Sequence, residues 1–197
     1  MGKGRLEAFS DGVLAIIITI MVLELKAPHG GELQALRPLL PLFLSYLLSF
    51  INVGIYWNNH HHMLHATRRI NGRIMWANLH LLFWLSLIPV VTAWVGDNPQ
   101  APLPTSLYGV VLILAAIAYL ILERAIVREN GPESTLGEAV GADRKGTISE
   151  LVYLAAIGLA WVRPWIAQLL YAIVALAWVV PDPRIERRVS GESGRAP

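Results

Sequence analysis

Six apolar stretches separated by short polar links leave this chain few options besides a bundle of helices in a membrane. They run approximately over Phe9–Leu25, Leu39–Trp57, Ile74–Val95, Leu107–Ile126, Ile148–Val162 and Trp165–Val180. Each is near the ~20 residues that cross the apolar core of a bilayer, some of them shorter. Only 15% of the 197 residues are charged, against roughly 25% in soluble domains, so lipid is the expected solvent. The fold class expected is all-α, a polytopic membrane protein of six transmembrane helices.

The count of six rests on charge. Arg163-Pro164 separates the fifth and sixth stretches, which fits a tight turn between the arms of an antiparallel hairpin. A single bent helix there would give five spans and strand the basic C-terminal tail outside. With six spans, all but three of the 16 Lys and Arg fall on the side of the N-terminus, the exceptions being Lys26, Arg37 and Arg163. That asymmetry places both termini in the cytoplasm by the positive-inside rule. It also accounts for the pI of about 9.1 without a nucleic-acid partner.

The absence of cysteine excludes disulfides and thiol chemistry. Lys3 and Arg5 precede the first apolar run, but Asp11 stands at its entrance and Glu24-Leu25-Lys26 is not a small-residue cleavage site. The N-terminus is therefore expected to be retained. Pro28-His29-Gly30-Gly31 and Gly96-Asp97-Asn98-Pro99 read as breaks after the first and third helices. Residues 1–181 are expected to form one membrane domain, and 182–197 a charged, disordered cytoplasmic tail.

The chemistry concentrates at the first helix. Arg5, Ser10 and Asp11 stand where it enters the membrane, and ionised groups there are costly unless they face protein or water. Beyond them Ile16, Ile20 and Leu23 recur at i, i+4 and i+7, with Thr19 beside the stripe. Pattern alone does not choose this face, because nearly every position from Val13 to Leu25 is apolar. The charged and hydroxyl groups at the mouth favour a face that meets something other than lipid.

Polar residues also gather at the cytoplasmic end of the second and third helices: Trp57 to His62, His65, Asn78 and His80. His61 and His65 stand one turn apart, yet no carboxylate or thiolate lies nearby in sequence to complete a metal site. No metal and no cofactor are assigned. Some of these groups are expected to bond to Arg5, Ser10 and Asp11, which share their depth, since buried polar groups require partners.

Thr105-Ser106-Leu107-Tyr108-Gly109 faintly echoes the TVGYG filter of potassium channels, but Leu107 takes the place of the central glycine. This segment reads as the start of helix four. Pro89 is expected to kink helix three, with Thr92 able to bond a freed carbonyl. Arg124, Arg163 and the tryptophans at 57, 76, 94, 161, 165 and 178 read as interface anchors. No phosphate loop, paired catalytic carboxylates or HExxH motif is present, so no enzyme is expected.

Arg5, Phe9-Ser10-Asp11-Gly12-Val13, Ala15-Ile16, Thr19 and Leu23-Glu24-Leu25 together resemble the opening signature of the transmembrane protein 175 family. The similarity continues through Tyr56-Trp57, His60-His61, Asn78 and Leu87-Ile88-Pro89 with Thr92, covering about the first half of the chain. The resemblance implies a six-helix subunit that assembles as a homotetramer around a central pore lined by helix one. It implies a potassium-preferring, non-voltage-gated channel without the TVGYG filter, with potassium as the permeant ion. The apolar constrictions would fall on Ile16, Ile20 and Leu23, and ion coordination on Thr19. Arg5, Phe9, Ser10 and Asp11, with Asn78 and His80, would form a helix-packing network at the cytoplasmic end. A single repeat implies a prokaryotic cell membrane, since animal members carry two. Two alternatives remain open: a proton-permeable or weakly selective cation pore, and a non-conducting membrane scaffold.

Overall fold

The computed structural model describes residues 2–131 and 144–179. The expected tail at 182–197 and its boundary at 181 lie outside the described residues, as do residues 132–143. The described chain is helical, with no strand: α1 (Lys3–Leu23), a 3-10 helix (Leu33–Leu39), α2 (Leu40–His65), α3 (Gly72–Ser86), α4 (Ile88–Asp97), α5 (Pro102–Asn130), α6 (Arg144–Leu159) and α7 (Pro164–Val179). These make six helical spans. Four of them are long and apolar enough to cross a membrane: α1, the 3-10 helix with α2, α3 with α4, and α5. The last two are 16 residues each, about 24 Å at 1.5 Å per residue. They pair as the expected hairpin, with Pro164 opening α7 where its missing N–H costs no hydrogen bond.

The sequence expectation needs three adjustments. First, α2 runs through the polar group to His65, so the link to α3 is only residues 66–71. Second, the break after helix three comes later than Gly96, which lies inside α4 against α2. A methyl group on Gly96 would stand 2.8 Å from the Leu42 backbone, so this glycine sets the close approach of two helices. Third, the third span does break ahead of Pro89, at Leu87. Thr92, however, donates to the Ile88 carbonyl at 2.6 Å, one turn before it. The Leu85 carbonyl is the one whose usual partner proline lacks.

Thr105 to Gly109 lie in the opening turns of α5, as read from the sequence. A methyl group on Gly109 would fall 2.2 Å from the Tyr171 hydroxyl and 2.8 Å from the Ile157 side chain. Bare backbone at this point lets α6 and α7 close on α5. The Tyr171 hydroxyl then donates to the Thr105 carbonyl at 3.2 Å.

Two sets of hydrogen bonds fix which ends lie together. Lys3 Nζ donates to the His65 carbonyl at 2.8 Å. Asn130 Oδ1 accepts from the backbone amides of Arg68 and Arg69 at 3.0 and 2.9 Å. The start of α1, the link 66–71 and the end of α5 therefore share one end of the bundle. At the other end, Gln168 Nε2 donates to the Pro99 carbonyl at 2.8 Å.

Candidate functional site: the open face of the first helix

α1 lies against α2, α3 and α4 through Leu6, Ser10, Leu14, Ile17 and Met21, all buried. At 100° per residue, Arg5, Phe9, Gly12, Ile16, Ile20 and Leu23 fall within about 40° of one line on a different side of the helix. That line is open: Ile16 is 58% exposed, Ile20 44% and Leu23 78%. The three aliphatic side chains span about 10 Å along the axis. Thr19 is exposed beside them, and its hydroxyl donates to the Ile16 carbonyl at 2.9 Å. With its proton engaged there, the threonine oxygen presents lone pairs outward.

The buried side of α1 is held by polar contacts at membrane depth. Ser10 Oγ donates to the Leu6 carbonyl at 2.9 Å and accepts from Asn78 Nδ2 at 2.9 Å. Asn78 Oδ1 faces His60 Nε2 at 2.6 Å, which fixes that nitrogen as the protonated one. Ser10, Asn78 and His60 are almost fully buried. The line Leu6–Ser10–Asn78–His60 thus joins α1, α3 and α2. One residue further along α1, Asp11 Oδ1 accepts from Trp57 Nε1 at 3.1 Å.

Of the residues expected in a packing network, the structure brings Ser10 to Asn78 and leaves others apart. Arg5 and Phe9 lie on the open line with Ile16. His80 is exposed and accepts from Trp84 Nε1 at 2.9 Å, on its own helix. His60 and Trp57 are the direct partners within the polar group that the sequence left undivided. The signal was the register of α2, in which Ser49, Asn52, Val53, His60, Met63 and Leu64 share the buried side. His61, His62 and His65 point elsewhere, the rings of His61 and His65 stacking at 6.1 Å. Among the described residues no three His, Cys, Asp or Glu converge as a metal site.

A second buried polar group, which the sequence reading did not find, lies between α2, α4 and α5. Ser49 Oγ stands 2.6 Å from Thr92 Oγ1 and 2.9 Å from Tyr108 Oη. Asn52 Nδ2 donates to the Leu48 carbonyl at 3.1 Å and to Tyr108 Oη at 3.4 Å. Because Thr92 gives its proton to Ile88, the consistent order runs from Tyr108 to Ser49 to Thr92 to the carbonyl. No buried side-chain nitrogen or oxygen among the described residues is left without a partner, as an apolar surrounding demands.

The bundle is thus a polytopic helical membrane protein whose first helix is packed on one side and bare along the other. A profile of the family described as endosomal/lysosomal potassium channel TMEM175 matches residues 5–89. A potassium channel of Chryseobacterium sp. (strain P1-3) is 56% identical over 187 residues, 95% of this chain and 97% of that relative. The human endosomal/lysosomal proton channel TMEM175 is 36% identical over 125 residues, 55% of this chain and 22% of that protein. Among solved structures, a lysosomal potassium-selective channel TMEM175 homolog from Chamaesiphon minutus superposes with a TM-score of 0.79 at 28% identity. That match covers 90% of this chain and 96% of the other. The chain belongs to the TMEM175 family of ion channels, and its relatives are channels, not enzymes.

Proposed function

We propose that four copies of this chain form a potassium-selective, non-voltage-gated channel whose pore is bordered by the open line of α1. The observation that carries the reading is the division of this helix. Its packed side is pinned by Ser10 and Asn78, while Ile16, Ile20 and Leu23 are left uncovered in one straight row. One helix cannot enclose a pore, so a lining on α1 requires closed symmetry among identical subunits. Rings of Ile and Leu would close such a pore by dewetting, and opening would need the side chains to rotate or the helices to part. Thr19, beside the row with its oxygen turned outward, would offer an ion a polar ligand. Arg5 and Phe9 would face the inner mouth. The reading places both termini in the cytoplasm of a prokaryotic cell, with 1–181 as the membrane domain. The names of the bacterial relatives support potassium as the ion.

The test is flux through the purified full-length protein in liposomes under a potassium gradient, followed by recordings with potassium and sodium on opposite sides. Potassium is expected to pass well above sodium, and Ile16→Asn to change conduction or selectivity. Absence of flux overturns the reading and leaves the non-conducting scaffold, whereas an Ile16→Asn channel identical to the parent overturns the α1 pore lining. Proton permeation is a second reading, favoured by His60 standing in the line to Ser10 and by the name of the human relative. Reversal potentials across a pH gradient separate the two.

A further inference from the structure

A groove of about 980 Å³ opens between the first turns of α3 and the last turns of α5. No residue of α1 lines it, and it lies at the same end of the bundle as the α1 N-terminus. Arg73 enters it from α3, and Arg124 and Arg128 from α5. All three are exposed, and none forms an ion pair among the described residues. The carboxylate at the rim, Glu129, accepts from the side-chain amide of Asn71 and forms no ion pair with the arginines among the described residues. Further along α3 and α5, toward the middle of the bilayer, the lining changes to Trp76, Ala77 and Ile121, with His80 the one polar side chain among them and Trp76 75% exposed. Arg128 and Ile121 are seven residues apart on α5, about 10 Å along the axis.

That gradient complements a phospholipid: positive charge at the water boundary and a mainly apolar wall just below it. Ordinary interface anchors are scattered singly, to set helix depth. Here three guanidiniums from two helices converge on one concavity, and Arg is suited to bidentate contact with phosphate oxygens. Basic recesses between membrane helices recognise anionic headgroups in this way. We infer that the α3–α5 groove binds an anionic phospholipid, its phosphate among Arg73, Arg124 and Arg128 and an acyl chain along Trp76 and Ile121.

The experiment is native mass spectrometry of the full-length protein released from detergent with defined lipids, with intact oligomer as the folding control. Phosphatidylglycerol and cardiolipin are expected to be retained and phosphatidylcholine to be lost. The triple variant R73Q/R124Q/R128Q is expected to bind phosphatidylglycerol about a hundredfold more weakly, roughly fivefold for each arginine at an anionic surface. Arg163→Gln, at the opposite end of the bundle, is expected to leave binding unchanged. Should the triple variant not assemble, single Arg124→Gln with Arg124→Lys as its charge-preserving counterpart carries the comparison. Equal retention of the three lipids overturns the inference, as does equal retention by parent and variants. Displacement of phosphatidylglycerol by millimolar inorganic phosphate would show a free-anion site instead, and also overturns it.

Discussion

The side chain of Asn78 donates to the Ser10 hydroxyl at 2.9 Å and meets His60 at 2.6 Å, linking α1 to α3 and α2 at one buried point. Together with the Asp11–Trp57 bond and the buried side chains of α1, it orients that helix about its own axis. That orientation decides which residues are uncovered.

Asn78→Leu therefore tests the bridge. It keeps the number of side-chain heavy atoms, removes two hydrogen bonds and leaves the His60 N–H without a partner. Hydrogen bonds between membrane helices average about 0.6 kcal/mol with a maximum near 1.7, so a loss of about 1–3 kcal/mol is expected once the orphaned imidazole is included. Thermal unfolding of the purified protein measures it. A melting curve unchanged from the parent would show that the bridge contributes nothing.

Neighbouring isoleucines on α1 are expected to behave in opposite ways. Ile17 is 3% exposed and Ile16 is 58%. Ile17→Asn buries an unpaired amide and should lower stability by about 1–3 kcal/mol. Ile16→Asn should leave the fold of the subunit within about 0.5 kcal/mol of the parent while altering ion flux. Paired unfolding and liposome-flux measurements check both halves. Similar destabilisation by the two would show that the assigned rotation of α1 is wrong.

Gly109→Ala is expected to push α7 off α5. The added methyl meets the Tyr171 hydroxyl and the Ile157 side chain well inside contact distance, and overpacking of this kind costs about 1–3 kcal/mol. Tyr171→Phe removes the hydroxyl that it meets, at the cost of the bond to Thr105. The double variant should recover part of the loss. A double-mutant cycle by thermal unfolding gives the coupling, and simple additivity would argue against the contact.

Asn130→Ala should loosen the link 66–71 without disturbing the spans. The amides of Arg68 and Arg69 lose their shared acceptor, and exposed amides without partners exchange quickly. Hydrogen exchange followed by peptide mapping should show faster uptake over 66–71. Slow exchange there in the variant would mean that other contacts hold the link.

How much was legible beforehand differs from helix to helix. Apolar length and the arginine asymmetry marked all six spans, because a bilayer imposes length and charge placement on each segment separately. Pro89 announced the break in the third span, since a missing N–H is a local fact. Gly96 was read as a break and proved to be a contact; nothing in its own neighbours reveals that Leu42 lies across from it. The group Ser49, Asn52, Thr92 and Tyr108 escaped notice for the same reason, its members being up to 59 positions apart.

The site divides along the same line. Phe9 to Leu25 could be recognised as a family opening, and Ile16, Ile20 and Leu23 as one stripe, because helical geometry fixes which side chains align. In a helix that is apolar nearly all round, however, alignment does not say which stripe is covered. That was decided by packing: Ser10 finds Asn78, Asp11 finds Trp57, and the line through Ile16, Ile20 and Leu23 is left bare. The sequence alone determined the spans, their order and the side of the membrane favoured by charge. Only the tertiary structure settled the rotation of each helix, because rotation depends on partners that the chain brings together from distant positions.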